Sequence, residues 1–432
     1  MKSALDISSA QFVNHHPESE RLFKEALKSL PGGNTRTLLH TSPFPVFMKK
    51  GEGCRLWDED GNLYYDFVGE LSAGLFGHSN SSIRKTLEST IRDIGLNLGA
   101  TNVYEQRYAS LLCERFGLGH VRFCNSGTEA TLHCLGAARQ FTGRRKIMVF
   151  RGAYHGSVFT FGAGIAPNNV DHDDWVLVQY NDPKGVKDAF VRHTGAIAAV
   201  IVEGLQGSGG CIPASMDFLN TIRSESSSQG SLMIMDEVMT SRLAVGGLKS
   251  ALGITPDLCT LGKYLGGGMP FGGFGGRRDV MDVYSPLRGL LAHSGTFQNN
   301  TLMLCAGYTG LKEVYTNEAV QSLNAKGDIL RHRLQKVFAG SKFCVTGRGS
   351  MLCIHATESG LLPDQIQCRD NVADVEAVDL KKLFWIEMVG SGFWVQVRGM
   401  ITLNIAITEE VLDAFVEAVE SFCRKYSDLI KT

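Results

Sequence analysis

The sequence predicts an α/β protein in which a mostly parallel sheet carries helices on both faces. Three observations predict it. Between about residues 80 and 320, short apolar runs (HVRFCNS, RKIMVFRGA, DWVLVQY, AIAAVIVE, SLMIMDEV and DLCTLGK) alternate with longer helical stretches, the signature of crossover units in a parallel sheet. The chain has 432 residues, which at roughly 100–200 residues per domain leaves room for a large domain and a smaller partner. Finally, 44% of the residues are hydrophobic and 20% charged, ample for a core and incompatible with global disorder.

The elements before and after that region differ in pattern. A polar N-terminal tail leads into a predicted helix, ESERLFKEALKSL, with Leu22, Phe23, Ala26, Leu27 and Leu30 at helical spacing. Pro31-Gly32-Gly33 ends it. A β-rich stretch follows, PVFMKKGEGCRLWDEDGNLYYDFVG, with Asp60-Gly61 as a hairpin turn. Beyond about residue 325 come a helix (GDILRHRLQKVFAG), strands (FCVTGRGSMLCIHA, FWVQVRG) and a final amphipathic helix, TEEVLDAFVEAVESFCRKYSDL. Residues 357–376 read as a surface excursion. The expected division is an N-terminal segment, 1–75, packing with a small α+β domain at 325–432, and a large domain at 76–324.

Composition narrows the function. The 43 Lys+Arg and 44 Asp+Glu give a net charge of −1, without the basic footprint of a general nucleic-acid binder. The N-terminus lacks the apolar core of a signal peptide, and no eighteen apolar residues run together, so a cytoplasmic protein without membrane attachment is expected. The eleven cysteines are scattered, odd in number and without a C-x-x-C pair. They read as free thiols in a reducing compartment, and no metal is expected.

In a parallel sheet, ligands bind beyond the carboxyl ends of the strands. After HVRFC comes Asn125-Ser126-Gly127-Thr128-Glu129-Ala130, opening a helix whose free N–H groups suit a phosphate. After KIMVF comes Arg151-Gly152-Ala153-Tyr154-His155-Gly156, an aromatic able to stack on a planar ligand. SLMIM ends in Asp236-Glu237-Val238, and a buried strand-end acid needs a partner or a function. DLCTLG ends at Lys263, a candidate for Schiff-base chemistry once desolvation frees its amine. Each alone also fits a bland role: an N-cap, a loop aromatic, a salt-bridged acid, a surface lysine. Together, in order at successive strand ends, they match pyridoxal 5′-phosphate (PLP): phosphate anchor, ring face, pyridinium partner and amine.

The chain resembles the fold-type I, class III aminotransferases, in particular the branch of glutamate-1-semialdehyde aminomutase and β-phenylalanine aminotransferase. The matching segments are PGGNTR (31–36), DEDGNLYYDFVGE (58–70), GLFGH (74–78), NSGTEA (125–130), YHG (154–156), IVE (201–203), DEVMTSR (236–242), PDLCTLGKYLGGGMPFGGFGGRRD (256–279), SGTF (294–297) and RGM (398–400). The resemblance implies a seven-stranded large-domain sheet and a small α+β domain. It implies Lys263 as the Schiff-base lysine, Asp236 on the pyridine nitrogen, Val238 and Tyr154 on the two ring faces, and Ser126, Gly127 and Thr128 at the phosphate. Glu203 would lie near the cofactor, Thr296 would reach the phosphate across a homodimer interface, and His155 would support Tyr154.

Arg36 and Arg398 align with arginines that bind carboxylates, for which a planar guanidinium is suited. Leu71 stands where an aromatic is expected, and Gln396-Val397 replaces a small residue and proline, so the side-chain pocket is expected to differ from that of the β-phenylalanine enzymes. The implied activity is transfer of an amino group from a β-amino acid, or a related amino acid, to a 2-oxo acid such as 2-oxoglutarate. The alternatives are a glutamate-1-semialdehyde-type aminomutase, a racemase of the same fold, and a catalytically silent PLP-binding protein.

Overall fold

The computed structural model describes residues 1–432. Its large sheet has seven strands in the order His120–Cys124, Gly272–Gly276, Leu258–Gly262, Leu232–Asp236, Ile197–Glu203, Lys146–Phe150 and Trp175–Val178. Six of these are the apolar runs of the sequence. They read as continuous rather than alternating because helices cover both faces; every residue of Ile197–Glu203 is buried.

Gly272–Gly276 is the strand that patterning missed, and it runs antiparallel to both neighbours. GGFGG has no β-branched residue, and glycine is depleted in strands. Its glycines answer to crowding. A Cβ on Gly272 would collide with the Ser126 carbonyl, and one on Gly276 with that of Asp257.

The N-terminal tail is helical rather than irregular, with one helix at Lys2–His15 and a second at Pro17–Ala26. The first helix buries only Ser8 and Phe12, too weak a stripe to read from sequence. It is held by docking: the Phe12 ring lies 5.4 Å from both Phe44 and Trp385, the latter on helix Val378–Gly390. The second helix begins earlier and ends sooner than the residue spacing predicts. Its first turn is capped from a distance, because Asp60 accepts the N–H groups of Glu18 (2.6 Å) and Ser19 (3.0 Å).

The hairpin forms as expected from Arg55–Asp58 and Leu63–Asp66. Of FWVQVRG only Phe393–Trp394 is a strand, and it pairs in parallel with Leu63–Asp66, joining the two ends of the chain in one four-stranded sheet. Phe67 stacks on Phe415 of the C-terminal helix Glu409–Lys425 at 4.2 Å. The small α+β domain is completed by a three-stranded antiparallel sheet, Phe343–Arg348, Met351–Ala356 and Met400–Thr402, with helix Asn317–Val337 against it. Residues 357–376 are more than a surface excursion: Ile366, Cys368 and Val372 are buried, and Asp370 pairs with Arg151 at 2.9 Å. All eleven cysteines are unbridged. No helix is long and apolar enough to cross a membrane.

Candidate active site

Register builds the centre of the site. Asp236 lies level with Glu203 on one neighbouring strand and with Thr260 on the other, so three polar side chains leave the sheet at one height. The Thr260 hydroxyl and the Val238 N–H both donate to Asp236 Oδ1 at 3.0 Å, and His155 Nδ1 lies 2.6 Å from Oδ2. His155 therefore serves Asp236, not Tyr154 as the sequence suggested. Thr260 is a positioning partner the sequence reading missed, because register between separate strands leaves no local signal. Both members of the His155–Asp236 pair are buried. Burial alone would lower the His155 pKa; the Asp236 hydrogen bond and charge, with the charge of Glu203, outweigh it and raise the value.

Glu203 is held by the N–H groups of Gly207 (2.9 Å) and Tyr154 (3.4 Å). Burial is the largest influence on its carboxyl, His155 opposes and Asp236 reinforces it, and the pKa is pushed up to about 7. A carboxyl near neutrality beside the His155–Asp236 pair can take or give a proton at modest cost.

Ser126 caps helix Gly127–Thr142, its hydroxyl accepting from Glu129 N–H at 3.2 Å. The first-turn N–H groups of Gly127 and Thr128 have no intrahelical acceptor and lie at the positive end of the helix dipole. Gly127 is needed for closeness: a Cβ there would sit 3.1 Å from both methyls of Val238. Thr128 Oγ1 accepts from Ser157 N–H at 3.1 Å, tying this helix start to the YHG loop. The result is an anion cradle walled by Val238.

Lys263 follows strand Leu258–Gly262 directly and takes a left-handed φ of 58°, uncommon for a residue with a side chain. Its pKa is lowered, chiefly by burial; Glu70 opposes that effect and Arg36 adds to it. More of the amine is thus neutral at physiological pH than in a solvated lysine.

Ser126, Gly127, Thr128, Tyr154, His155, Glu203, Asp236, Val238 and Lys263 all line one cavity of about 310 Å³. Met269, Pro270 and Phe271, which the sequence reading left without a role, close another side of it. Arg36 and Arg398 line a different cavity, of about 680 Å³, with Glu70, Leu71, Trp394 and Gln396 among its walls. Thr296 is exposed and lines neither.

Between the cavities lies an unusual backbone. Gly69, Glu70, Leu71 and Ser72 have φ of 50°, 48°, 54° and 80°, a left-handed turn costing about 1–2 kcal/mol per residue with a side chain. It is clamped from several sides. Asp66 accepts the N–H groups of Val68 and Gly69, and Thr402 Oγ1 donates to Val68 O and accepts from Ser72 N–H. The fully buried Arg242 reaches Ser72 O at 3.5 Å and also bonds Ser350 Oγ and Leu403 O.

The model for the family described as "Aminotransferase class-III" matches residues 39–421. The chain belongs to the class III aminotransferases. This aminotransferase is 47% identical over 430 residues to an uncharacterised aminotransferase of Schizosaccharomyces pombe, covering 99% of this chain and 97% of that one. It is 42% identical over 432 residues to the beta-phenylalanine transaminase of Variovorax paradoxus, with 99% and 97% covered. The solved β-phenylalanine aminotransferase from Variovorax paradoxus superposes with a TM-score of 0.96 over 100% of this chain and 99% of that one. A glutamate-1-semialdehyde 2,1-aminomutase of Caldicellulosiruptor bescii is 34% identical over 428 residues, covering 94% and 98%.

The fold is therefore PLP-dependent transferase fold type I, and the protein is a PLP-dependent transaminase. The 310 Å³ cavity fits that cofactor on its own chemistry: a helix start with free N–H groups, a carboxylate fixed by three donors, and an amine of lowered basicity.

Proposed function

We propose that this aminotransferase takes its amino group from a β-amino acid and passes it to a 2-oxo acid, with 2-oxoglutarate as the acceptor. One observation carries the reading: Arg36 and Arg398, far apart in the chain, line one cavity, and Arg36 is near enough to Lys263 for its charge to bear on the amine. A transaminase must bind two unlike carboxylic acids in turn, and two guanidinium groups provide for both. The likeness to the beta-phenylalanine transaminase of Variovorax paradoxus supports the donor class. Leu71 and Gln396 line the wall alongside the aromatic side chains Phe47, Trp385 and Trp394.

When bound, PLP supplies an electrophilic carbon for the amino group and a ring that withdraws electrons from the substrate carbon. In this reading Gly127, Thr128 and Ser126 would hold the phosphate, Val238 and Tyr154 would pack against the ring, and Asp236 would serve its nitrogen. Lys263 moves the proton at the amine-bearing carbon, as general base and then acid. Glu203 stands beside the His155–Asp236 pair. The reading includes a cytoplasmic homodimer in which Thr296 completes the partner's phosphate site. It also divides the chain into an N-terminal segment (1–75), a large domain (76–324) and a small domain (325–432).

A single-turnover experiment tests it. Holoenzyme mixed with 3-amino-3-phenylpropanoate or 3-aminobutanoate, without acceptor, should release one equivalent of 3-oxo acid per site and change the absorbance of the bound cofactor. Adding 2-oxoglutarate should restore the original spectrum. Repeated isomerisation of an amino aldehyde with no acceptor, and no response to any oxo acid, would make it an aminomutase instead.

A further inference from the structure

Glu70 is the one acid paired with Arg36: Oε1 lies 2.6 Å from Nη1. Arg398, on the same cavity, has no acidic partner. The two arginines are therefore not equivalent before a ligand arrives. The Arg398 fork is open, whereas that of Arg36 already holds a carboxylate.

The backbone shows which partner is fixed. Glu70 lies within the left-handed turn Gly69–Ser72, held by Asp66, Thr402 and Arg242 on three sides. Arg36 extends from an irregular stretch between two single turns, Pro31–Gly33 and Thr37–Leu39, on a long side chain that is half exposed. Glu70 is anchored and Arg36 is the arm that can leave. The pair also stands near the reacting amine, since both charges bear on Lys263.

An enzyme that binds two acids in turn has a physical problem. Whichever arginine a given half-reaction leaves unused is an unpaired cation facing the ligand, and it would draw carboxylates into the wrong place. We propose that Glu70 is a specificity-determining residue, an internal carboxylate that occupies Arg36 until a ligand carboxylate of the right reach displaces it, and that reclaims Arg36 when the other substrate binds through Arg398. The inference rests on the proposed function in that two carboxylic acids bind in turn and are divided between Arg36 and Arg398; it does not depend on which amino donor is used.

The pair is half exposed on both sides (50% and 54%), and exposed ion pairs contribute little, so displacement is easy and the effect of removing Glu70 is about two- to fivefold. The probe is 3-phenylpropanoate, an unreactive monocarboxylate, titrated calorimetrically into holoenzyme. Glu70→Gln should bind it two- to fivefold more tightly than wild type. In an Arg36→Ala background, Glu70→Gln should leave affinity unchanged, because there is no guanidinium to release. An equal dissociation constant in Glu70→Gln and wild type, no measurable binding to either, or the same tightening without Arg36 would overturn the proposal. Because the readout is binding rather than turnover, a failure of the β-amino donor assignment would appear separately, as absent 3-oxo acid release with the binding pattern intact.

Discussion

His155 Nδ1 lies 2.6 Å from Asp236 Oδ2, and both side chains are buried at the carboxyl edge of the sheet. With Thr260 and Val238 donating to the other oxygen, the carboxylate is held at both ends and cannot turn without losing a bond. Buried hydrogen bonds to a charged group contribute about 1.5–3 kcal/mol. His155→Asn should therefore lower kcat about 10- to 100-fold while the protein remains folded and retains cofactor. Steady-state kinetics and the visible spectrum of the purified variant check this, and an unchanged kcat counts against a positioning role.

Lys263→Ala should abolish repeated turnover. Borohydride treatment followed by digestion should find cofactor on the Lys263 peptide in wild type and on no peptide in the variant. Cofactor fixed to another lysine would move the assignment.

Thr296 is exposed and does not line the 310 Å³ cavity of its own chain; the proposed composite site assigns it to a second copy. Lys263→Ala and a disruptive Thr296 variant, each inactive alone, should regain part of the wild-type activity when dissociated and re-mixed. Fully active monomers in sedimentation would refute the composite site.

Arg36→Ala should lower kcat/KM mainly for the β-amino donor and Arg398→Ala mainly for 2-oxoglutarate. Each loss should be about 10- to 100-fold, the equivalent of about 1.5–3 kcal/mol for a charged hydrogen-bonded partner. Small and equal losses for both substrates in both variants would show that neither arginine is an anchor.

Glu237, next to Asp236, is fully buried and accepts the N–H groups of Leu248 (3.0 Å) and Lys249 (2.7 Å). Burial nevertheless pushes its pKa up from the ordinary 4.5 to about 7. Between those values the folded protein holds a proton that the unfolded chain has released, so this contribution to stability is complete below pH 4.5 and lost as pH rises to about 7. Glu237→Gln is neutral throughout. Its stability relative to wild type should improve from pH 5 to pH 8 by on the order of 1–3 kcal/mol, measured by urea denaturation. A gap independent of pH would mean that the carboxyl does not titrate in this window.

Much of this protein is legible in the order of its residues. Six of seven large-sheet strands are visible because burial on both faces makes them continuous apolar runs. The residues that line the 310 Å³ cavity are visible because a parallel sheet gathers the ends of its strands on one edge, so Ser126, Tyr154, Asp236 and Lys263 could be placed together from topology, while Glu203 came only from the family resemblance. GGFGG and the helix Lys2–His15 were hidden, since their structure depends on crowding by Ser126 and docking on Trp385 rather than on any pattern of their own.

Partnership is what folding adds. That His155 meets Asp236, that Thr260 stands level with it, and that Glu70 holds Arg36 are outcomes of strand register and of the clamped turn Gly69–Ser72. Periodicity and turn chemistry act over a few residues and are written locally. A hydrogen bond between residues on different elements depends on how those elements pack, and that is settled only by the free energy of the whole chain.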